Sequence, residues 1–300
     1  MSGAVLVTGA RGLVGGAVAA ALRRSGAEVV GLDLEADTAG GVVACDLLDA
    51  QRLAAIADEA SLAAIVHCGA VSGPSLFRND PAHVARTNFG STLNVMELAR
   101  TRQVPRVVFA SSGSVYGRTE DQEVRESRAL HPSSVYAATK IAGEALVEAY
   151  SSQYGVSGVS LRIAAVYGPA RRTSCAVREM ILAGHEGRRL ALPSGGKQRY
   201  HYVHVDDVAA AVVAAMRAAI LPQRAYSVAA DAGMSLKRLA ALVREIVPGP
   251  PIVVEDAEDP ESDPQGPYDL SAIERDLGWK AAVDLPTGIR SYAAFLLQKM

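Results

Sequence analysis

The sequence predicts an α/β protein built on a doubly wound, mainly parallel sheet, with a small α/β cap toward the carboxy terminus. Three observations carry that expectation. Short β-branched runs alternate with Ala-rich helical stretches through the first half of the chain, the pattern of repeated βαβ units. Several runs, among them Val5-Leu6-Val7 and Val107-Val108-Phe109, are apolar without alternation, as expected of strands covered on both faces. The 300 residues are 49% hydrophobic and 21% charged, enough apolar material to bury a large core without staples.

Taken in order, strands are expected at residues 4–7, 28–32, 41–44, 64–67, 106–110 and 158–163. Helices are expected near 13–25, 50–59, 81–102 and 135–154. The character changes after Gly168-Pro169. Residues 171–189 read as basic and helical, 193–197 as a loop. Residues 248–267, with six of the 14 prolines and many acids, read as irregular chain. The expected division is a first unit of residues 1–168 and a cap of residues 169–300, with about 199–229 returning to the first unit.

Charge and cysteine usage exclude several classes. The chain carries 30 Lys and Arg against 32 Asp and Glu, a formal net of −2. No basic excess marks a nucleic-acid face, and no like-charge block reads as a binding tail. Cys45, Cys68 and Cys175 are an odd number without CxxC spacing. Neither a disulfide framework nor a zinc site follows, and a reducing compartment is expected. The amino terminus has no basic n-region and breaks its apolar run at Thr8-Gly9, unlike a signal peptide. The longest strongly apolar stretch, residues 208–216, falls far short of the ~20 residues of a membrane span. A soluble, cytoplasmic protein with no membrane or nucleic-acid partner is the expectation.

The first strand runs into Gly9-Ala10-Arg11-Gly12-Leu13-Val14-Gly15, and a helix follows. Glycines suit this place because the chain must turn tightly and let backbone N–H groups approach a pyrophosphate. The helix amino terminus adds further N–H groups and a favourable dipole. A glycine triplet alone is weak; between a strand and a helix it marks a Rossmann-type dinucleotide site. The second strand ends at Asp33, 18 residues past Gly15, close to the ~20 expected for a carboxylate that accepts from a ribose 2′-OH. An ordinary strand-end acid is the bland alternative, and the matched spacing on both sides argues against it. Because a carboxylate repels a 2′-phosphate, NAD is expected over NADP. Arg11 complicates this, since a cation in the glycine loop could meet such a phosphate.

Tyr136 and Lys140 are four apart on a predicted helix and so share a face. With 10 tyrosines and five lysines, chance alone supplies about 0.2 such pairs. The pair becomes informative behind the glycine loop and within a longer series. That series holds Asp46-Leu47, His67-Cys68-Gly69-Ala70, Asn88 with Gly90, and Ser111-Ser112-Gly113-Ser114-Val115-Tyr116-Gly117. It continues with Tyr136-Ala137-Ala138-Thr139-Lys140, Leu161-Arg162, Val166-Tyr167-Gly168-Pro169, Val203-His204-Val205-Asp206-Asp207 and Leu277-Gly278-Trp279. With these motifs, in this order, the chain resembles the extended short-chain dehydrogenase/reductases, the NAD-dependent epimerase/dehydratase group, along essentially its whole length.

The resemblance implies roles. Tyr136 would be the general acid/base on a substrate hydroxyl, Lys140 the cation that favours its phenolate and holds the nicotinamide ribose, and Ser112 a hydrogen-bond partner of the reacting oxygen. A free phenol titrates near 10, and poising one near 7 takes ~4 kcal/mol, which a lysine and a nicotinamide cation can supply. Asp46 and Leu47 would flank the adenine. Gly69, Ala70 and Asn88 would line the cofactor groove with Gly9, Arg11, Gly12, Leu13, Val14, Gly15 and Asp33. A homodimer through the helices at 81–102 and 135–154 is also implied. His201, His204, Asp206 and Asp207 superficially suggest a metal, but His201 and His204 are three apart on an expected strand and point to opposite faces. No metal is expected.

The chain departs from the family at informative places. Gly113 and Ser114 stand where dehydrating members place an Asp-Glu pair and decarboxylating members a Glu, so neither chemistry is expected. Ala165 and Tyr200 stand where nucleotide-sugar members place an Asn and an Arg that grip the diphosphate. Arg199 is displaced by one and expected on the opposite strand face. No Arg lies between Arg244 and Arg275, where a third anchor belongs. A diphosphate needs cationic partners, and Arg171, Arg172 and Arg178 remain to hold it or a small carboxylate. The first expectation is therefore an NAD-dependent oxidoreductase acting on a secondary hydroxyl of a sugar, sugar acid or polyol, hydride passing to the nicotinamide C4 as Tyr136 takes the proton. The alternative is a nucleotide-sugar 4-epimerase of the UDP-hexose type with tightly bound NAD. A non-catalytic NAD(P) sensor fits poorly with intact Ser112, Tyr136 and Lys140.

Overall fold

Every residue of β1 (Ala4–Thr8) is buried, as its unbroken apolar run requires. The computed structural model describes residues 3–73, 75–120, 122–230, 233–260 and 262–299. From β1 the chain passes through α1 (Leu13–Arg24) to β2 (Val29–Asp33) and β3 (Val42–Ala44), then through α2 (Ala50–Asp58) to β4 (Leu62–His67). α3 (Pro81–Thr101) leads to β5 (Val107–Ser112), a 3-10 turn at Gly113–Tyr116, α4 (Val135–Tyr154) and β6 (Gly158–Ile163). Side-chain caps start three of these helices where the sequence changes period. Asp49 accepts from the Arg52 N–H, Asp80 from that of His83 with Pro81 behind it, and Ser134 from that of Ala137.

The second half begins with β7 (Ala165–Tyr167), α5 (Ala176–His185), β8 (Leu190–Leu192), β9 (Arg199–Tyr200) and β10 (Tyr202–His204). Then come α6 (Val205–Arg217), β11 (Ala225–Val228), β12 (Met234–Ser235), α7 (Leu236–Ile246), β13 (Ile252–Val254), α8 (Ser271–Leu277) and α9 (Leu285–Leu297). Residues 171–189 were expected as one helix, but α5 starts after Cys175 and gives way at Gly187, which has a positive φ of 63°. The proline-rich stretch 248–267 is not wholly irregular. Its Ile252–Val254 pairs in parallel with β8 and buries Val254 in the cap core.

The main sheet has the order β11-β6-β5-β4-β1-β2-β3, and every neighbouring pair is parallel. α1 and α6 bury Val18, Leu22, Val208 and Val212 on one face. α2, α3 and α4 bury Leu53, Ile56, Met96 and Val147 on the other. A separate core joins α5, α7 and α9 through Met180, Leu239 and Ile289. The chain leaves β1 toward β2 on one side and returns to β4 on the other. The carboxyl ends of β1 and β4 therefore flank the topological switch point, where open α/β sheets hold ligands. No helix among the described residues is long and apolar enough to cross a membrane.

One buried ion pair ties α4 to the sheet. Arg162 on β6 meets Glu144 on α4 at 2.8 Å, with side chains 8% and 10% exposed. The Arg162 Nε also donates to both Glu144 oxygens at 3.1 Å, and its Nη1 donates to the Tyr116 hydroxyl and the Glu126 carbonyl at 3.0 Å. Ser111 donates to Glu144 at 2.5 Å. Removing one partner of such a pair leaves a buried charge unopposed, at ~3–5 kcal/mol. Glu144→Ala is expected to lower the unfolding free energy by about that amount, read from urea denaturation. The double change Glu144→Leu with Arg162→Met is expected to recover most of the loss.

Candidate active site

The glycine loop joins β1 to α1 at the switch point. Gly9 has φ +66°, and a Cβ there would lie 2.9 Å from the backbone of Cys68 and Gly69. A Cβ on Gly15 would lie 2.2 Å from the Gly9 carbonyl oxygen. Only glycine lets the turn after β1 close on the turn after β4 and on its own helix. The amino end of α1 is bare: Gly12 is its N-cap, no side chain caps it, and its first turn carries no acid. The N–H groups around Leu13, Val14 and Gly15 are thus left for an anion, as a pyrophosphate needs.

Asp33 closes the adjoining end of β2. One carboxylate oxygen accepts from the Arg11 backbone N–H at 2.9 Å and the other from Leu34 at 2.8 Å. The Arg11 guanidinium turns to Glu35, its partner in an exposed ion pair. The Arg11 guanidinium is therefore paired, with the Asp33 and Glu35 carboxylates both beside it. Beyond them, Asp46 accepts from the Leu48 N–H at 2.9 Å. The Leu47 side chain packs so close to Gly69 that a Cβ there would lie 2.6 Å from it. Gly69 and Ala70 are half-buried after β4. Asn88 stands behind the groove rather than in its wall. It is buried, accepts from the Val71 N–H at 2.8 Å, and donates to the Val71 carbonyl at 3.1 Å and the Thr139 hydroxyl at 3.0 Å.

A chain of neutral groups runs beneath this groove. The Thr8 hydroxyl accepts from the N–H groups of Cys68 at 3.1 Å and Gly69 at 3.0 Å. Its own proton therefore goes to the His67 Nδ1, 2.8 Å away. The His67 Nε2 then donates to Thr92 at 3.2 Å, and Thr92 donates to the Asn88 carbonyl at 2.8 Å. Burial, with the nearby Lys140 charge, pulls the His67 imidazole down to about 3. The ring is a neutral link, not an acid.

The candidate reacting end lies where β5 runs into the 3-10 turn beside the start of α4. Ser112 accepts from the Ser114 hydroxyl at 2.9 Å and its N–H at 3.2 Å, which leaves the Ser112 O–H as a donor. Lys140 is buried and donates to the Ala110 carbonyl at 2.7 Å, leaving two N–H donors for a bound ligand. Its Nζ sits 5.8 Å from the centre of the Tyr136 ring. Tyr136 is largely buried, and among the described residues its hydroxyl has no hydrogen-bond partner. Ser112 and Tyr136 line one cavity of about 500 Å³, which Arg78, Arg199, Tyr200 and Asp263 also line. Gly113 could not carry an acid here, because its Cβ would lie 2.4 Å from the Tyr268 hydroxyl.

Residues 5–229 match the NAD dependent epimerase/dehydratase family. The chain belongs to that family. A UDP-glucuronate 4-epimerase of Arabidopsis thaliana is 34% identical over 226 residues, covering 68% of this chain and 52% of that protein. The chain thus aligns with about half the length of that relative. A second from the same organism is 28% identical over 335 residues, covering 98% of this chain and 75% of the relative. UDP-glucose 4-epimerase of Thermus thermophilus, solved in complex with NAD, superposes with a TM-score of 0.90 at 26% identity, covering 99% of this chain and 100% of that one.

Several residues of the chain lie elsewhere than the sequence suggests. Arg171, Arg172 and Arg178 do not line the cavity. Arg171 donates to the Val166 and Thr173 carbonyls, and Arg178 pairs with Glu179. Arg199 is not turned away, since β9 is a two-residue bridge and both Arg199 and Tyr200 reach the cavity wall. The His201 Nε2 donates to the Gln265 carbonyl, 3.1 Å away, and His204 caps α6. Asp207 accepts from the N–H groups of Ala282 and Val283 at 2.9 and 3.0 Å, a structural role. No group of three His, Cys, Asp or Glu among the described residues could hold a metal ion.

The Asp33–Arg11 contact makes a cofactor prediction. A hydrogen bond to a charged group contributes ~1.5–3 kcal/mol, so Asp33→Asn should weaken NAD binding by ~10–100-fold and narrow its lead over NADP, both read by titrating the purified protein. His67 makes a pH prediction. Its folded pKa lies below the unfolded value, so its effect on stability is absent above about 6.5, the usual imidazole value, and grows as pH falls toward about 3. Stability should drop by ~1.4 kcal/mol per pH unit from this group across that window. His67→Gln should flatten the acid limb of a urea-derived stability profile.

Proposed function

We propose that this enzyme works as a sugar 4-epimerase, oxidising a secondary carbinol and returning the hydride to its other face. The observation that carries the reading is Ser112 and Tyr136 on the wall of one cavity with the Lys140 Nζ 5.8 Å from the centre of the Tyr136 ring, each with an unused donor or hydroxyl. UDP-sugar 4-epimerases among the relatives, one aligned over 98% of the chain, support epimerisation over net dehydrogenation. This reverses the order expected from the sequence.

Bound NAD supplies the acceptor and donor of hydride. The N–H groups of the glycine loop and of Leu13, Val14 and Gly15 would hold its pyrophosphate, Asp33 its adenosine ribose, and the Asp46-Leu47 turn its adenine. Tyr136 takes the substrate's hydroxyl proton and gives it back. The Ser112 O–H donates to the reacting oxygen throughout. Lys140, held by the Ala110 carbonyl, stands 5.8 Å from the centre of the Tyr136 ring, where it supports the charge that develops as the proton moves. Gly113 and Ser114 provide no carboxylate, so nothing at this end drives an elimination.

A second reading, net dehydrogenation of a sugar acid or polyol, is favoured by one contact. Tyr200 stands where nucleotide-sugar members place an arginine, and it donates instead to Asp259 at 2.9 Å. Exposed Phe89 on α3 and Tyr154 on α4 support the implied homodimer, and the free thiols of Cys45, Cys68 and Cys175 support a reducing, cytoplasmic setting. Two measurements decide the chemistry. Epimerisation requires about one NAD released per denatured chain and an inverted product without net NADH; accumulating NADH establishes the second reading. Tyr136→Phe should cut turnover by ~10²–10⁴-fold with NAD content unchanged, and a small loss would remove Tyr136 from the proton path.

A further inference from the structure

The outer half of the cavity carries its own chemistry. Two arginines line it, Arg78 and Arg199. Arg78 is already engaged, whereas the Arg199 side chain makes no hydrogen bond or ion pair with any described residue. Two carboxylates accompany them. Asp263 lines the wall and accepts from the Ser133 hydroxyl at 2.5 Å. Asp259 accepts from Tyr200, another lining residue, at 2.9 Å. Burial and the Asp259 charge hold the Tyr200 phenol well above its ordinary range, so it remains a neutral donor.

Both carboxylates are fixed in place. Gln198 accepts from the Asp259 N–H at 3.1 Å and donates to the Ser262 carbonyl at 2.5 Å. Gln265 donates to the Gly113 carbonyl at 2.7 Å, and the Thr119 N–H donates to the Pro264 carbonyl at 3.0 Å. These bonds hold the backbone that carries the two acids, and each carboxylate adds one of its own, from Ser133 and from Tyr200. A diphosphate brings two charges close together and needs cationic, preferably bidentate, partners on both. Here it would meet one uncommitted guanidinium and two carboxylates. A single carboxylate matches that one guanidinium, and sugar hydroxyls can donate to the carboxylates.

Resting on the reading that Tyr136 oxidises a secondary hydroxyl, we propose that the substrate is a sugar acid without a diphosphate, its one carboxylate held by Arg199 and its distal hydroxyls by Asp263 and the Tyr200–Asp259 pair. Chemistry and recognition thus share one cavity wall, and that wall offers a diphosphate one uncommitted arginine beside two acids.

Binding and turnover are measured separately. NAD-loaded Tyr136→Phe protein is titrated calorimetrically with glucuronate, galacturonate, gluconate and UDP. At least one sugar acid should bind saturably and UDP should not, and adding Arg199→Gln should weaken the sugar acid by ~10–100-fold. In the Tyr136 protein, Arg199→Gln should raise KM by a similar factor and leave kcat within a few-fold. Asp259→Arg, which reverses the charge at the outer end, should introduce measurable UDP binding. Saturable UDP binding to the Asp259 protein, a UDP-glucuronate KM below that of every sugar acid, no sugar-acid binding at all, or binding indifferent to Arg199 would each overturn the proposal. Sugar-acid binding through Arg199 without any turnover would instead sink the Tyr136 chemistry and leave the recognition standing.

Discussion

Arg162 and Glu144 hold the reacting end of the molecule in register. Tyr136, Lys140 and Glu144 are spaced by four on α4 and share one helix face. Glu144 anchors that face by accepting from Arg162 on β6 and from Ser111 on β5. Because Ser112 is the next residue of β5, one carboxylate positions both the helix with the tyrosine and the strand end with the serine. Desolvation offsets much of the attraction in a buried pair, so its net stabilisation is small. Its geometric consequence is large. Sliding α4 by a turn would break every hydrogen bond Glu144 accepts and strand a guanidinium in the core.

The groove floor solves a related problem with neutral groups. A protonated His67 near Lys140 would set two cations together in a region of low dielectric, and burial reinforces the penalty. The imidazole stays neutral, and the proton direction is set by the two N–H groups that occupy the Thr8 hydroxyl. Thr8, His67, Thr92 and Asn88 then link the ends of β1 and β4 to α3 without adding charge. Asn88 extends the link to Thr139 on α4, one residue before Lys140. The ion pair and the neutral chain thus reach the same helix from opposite sides.

Local chemistry made much of this legible in the sequence. The apolar runs and the glycine turn each act within a few residues, and α4 begins and ends where the pattern puts it. What escaped is long-range. Asn88 looks like a groove residue until its partners at Val71 and Thr139 are known. Arg11 looks free to bind a phosphate until Glu35 is seen to claim it. Thr8 and His67 are 59 residues apart, and no local signal pairs them. Arg199 was misjudged because strand alternation needs several residues to assert itself, and β9 has two. Asp259 sits in a proline-rich acidic stretch where sequence alone gives no register, so only its hydrogen bond to Tyr200 shows which acid faces the cavity.

Satisfied groups locate the ligand as firmly as unsatisfied ones. A buried donor without a partner is costly, so open donors are informative when nearly everything around them is paired. In the floor, the Thr8, His67, Thr92 and Asn88 side chains spend their hydrogen-bonding capacity on one another. The Ser112 O–H, two Lys140 N–H groups, the Tyr136 hydroxyl and the bare amino end of α1 do not. They run from the glycine loop to the head of α4, the path a dinucleotide and an adjoining carbinol would follow. At the outer wall the balance changes, because the hydroxyls of Tyr200 and Ser133 are already given to carboxylates and Arg199 is not. A molecule that completes both sets must be rich in donors near Asp263 and carry a compact negative group for Arg199. A polyhydroxy carboxylate has those properties, while a nucleotide diphosphate carries surplus charge into the end that already holds two acids.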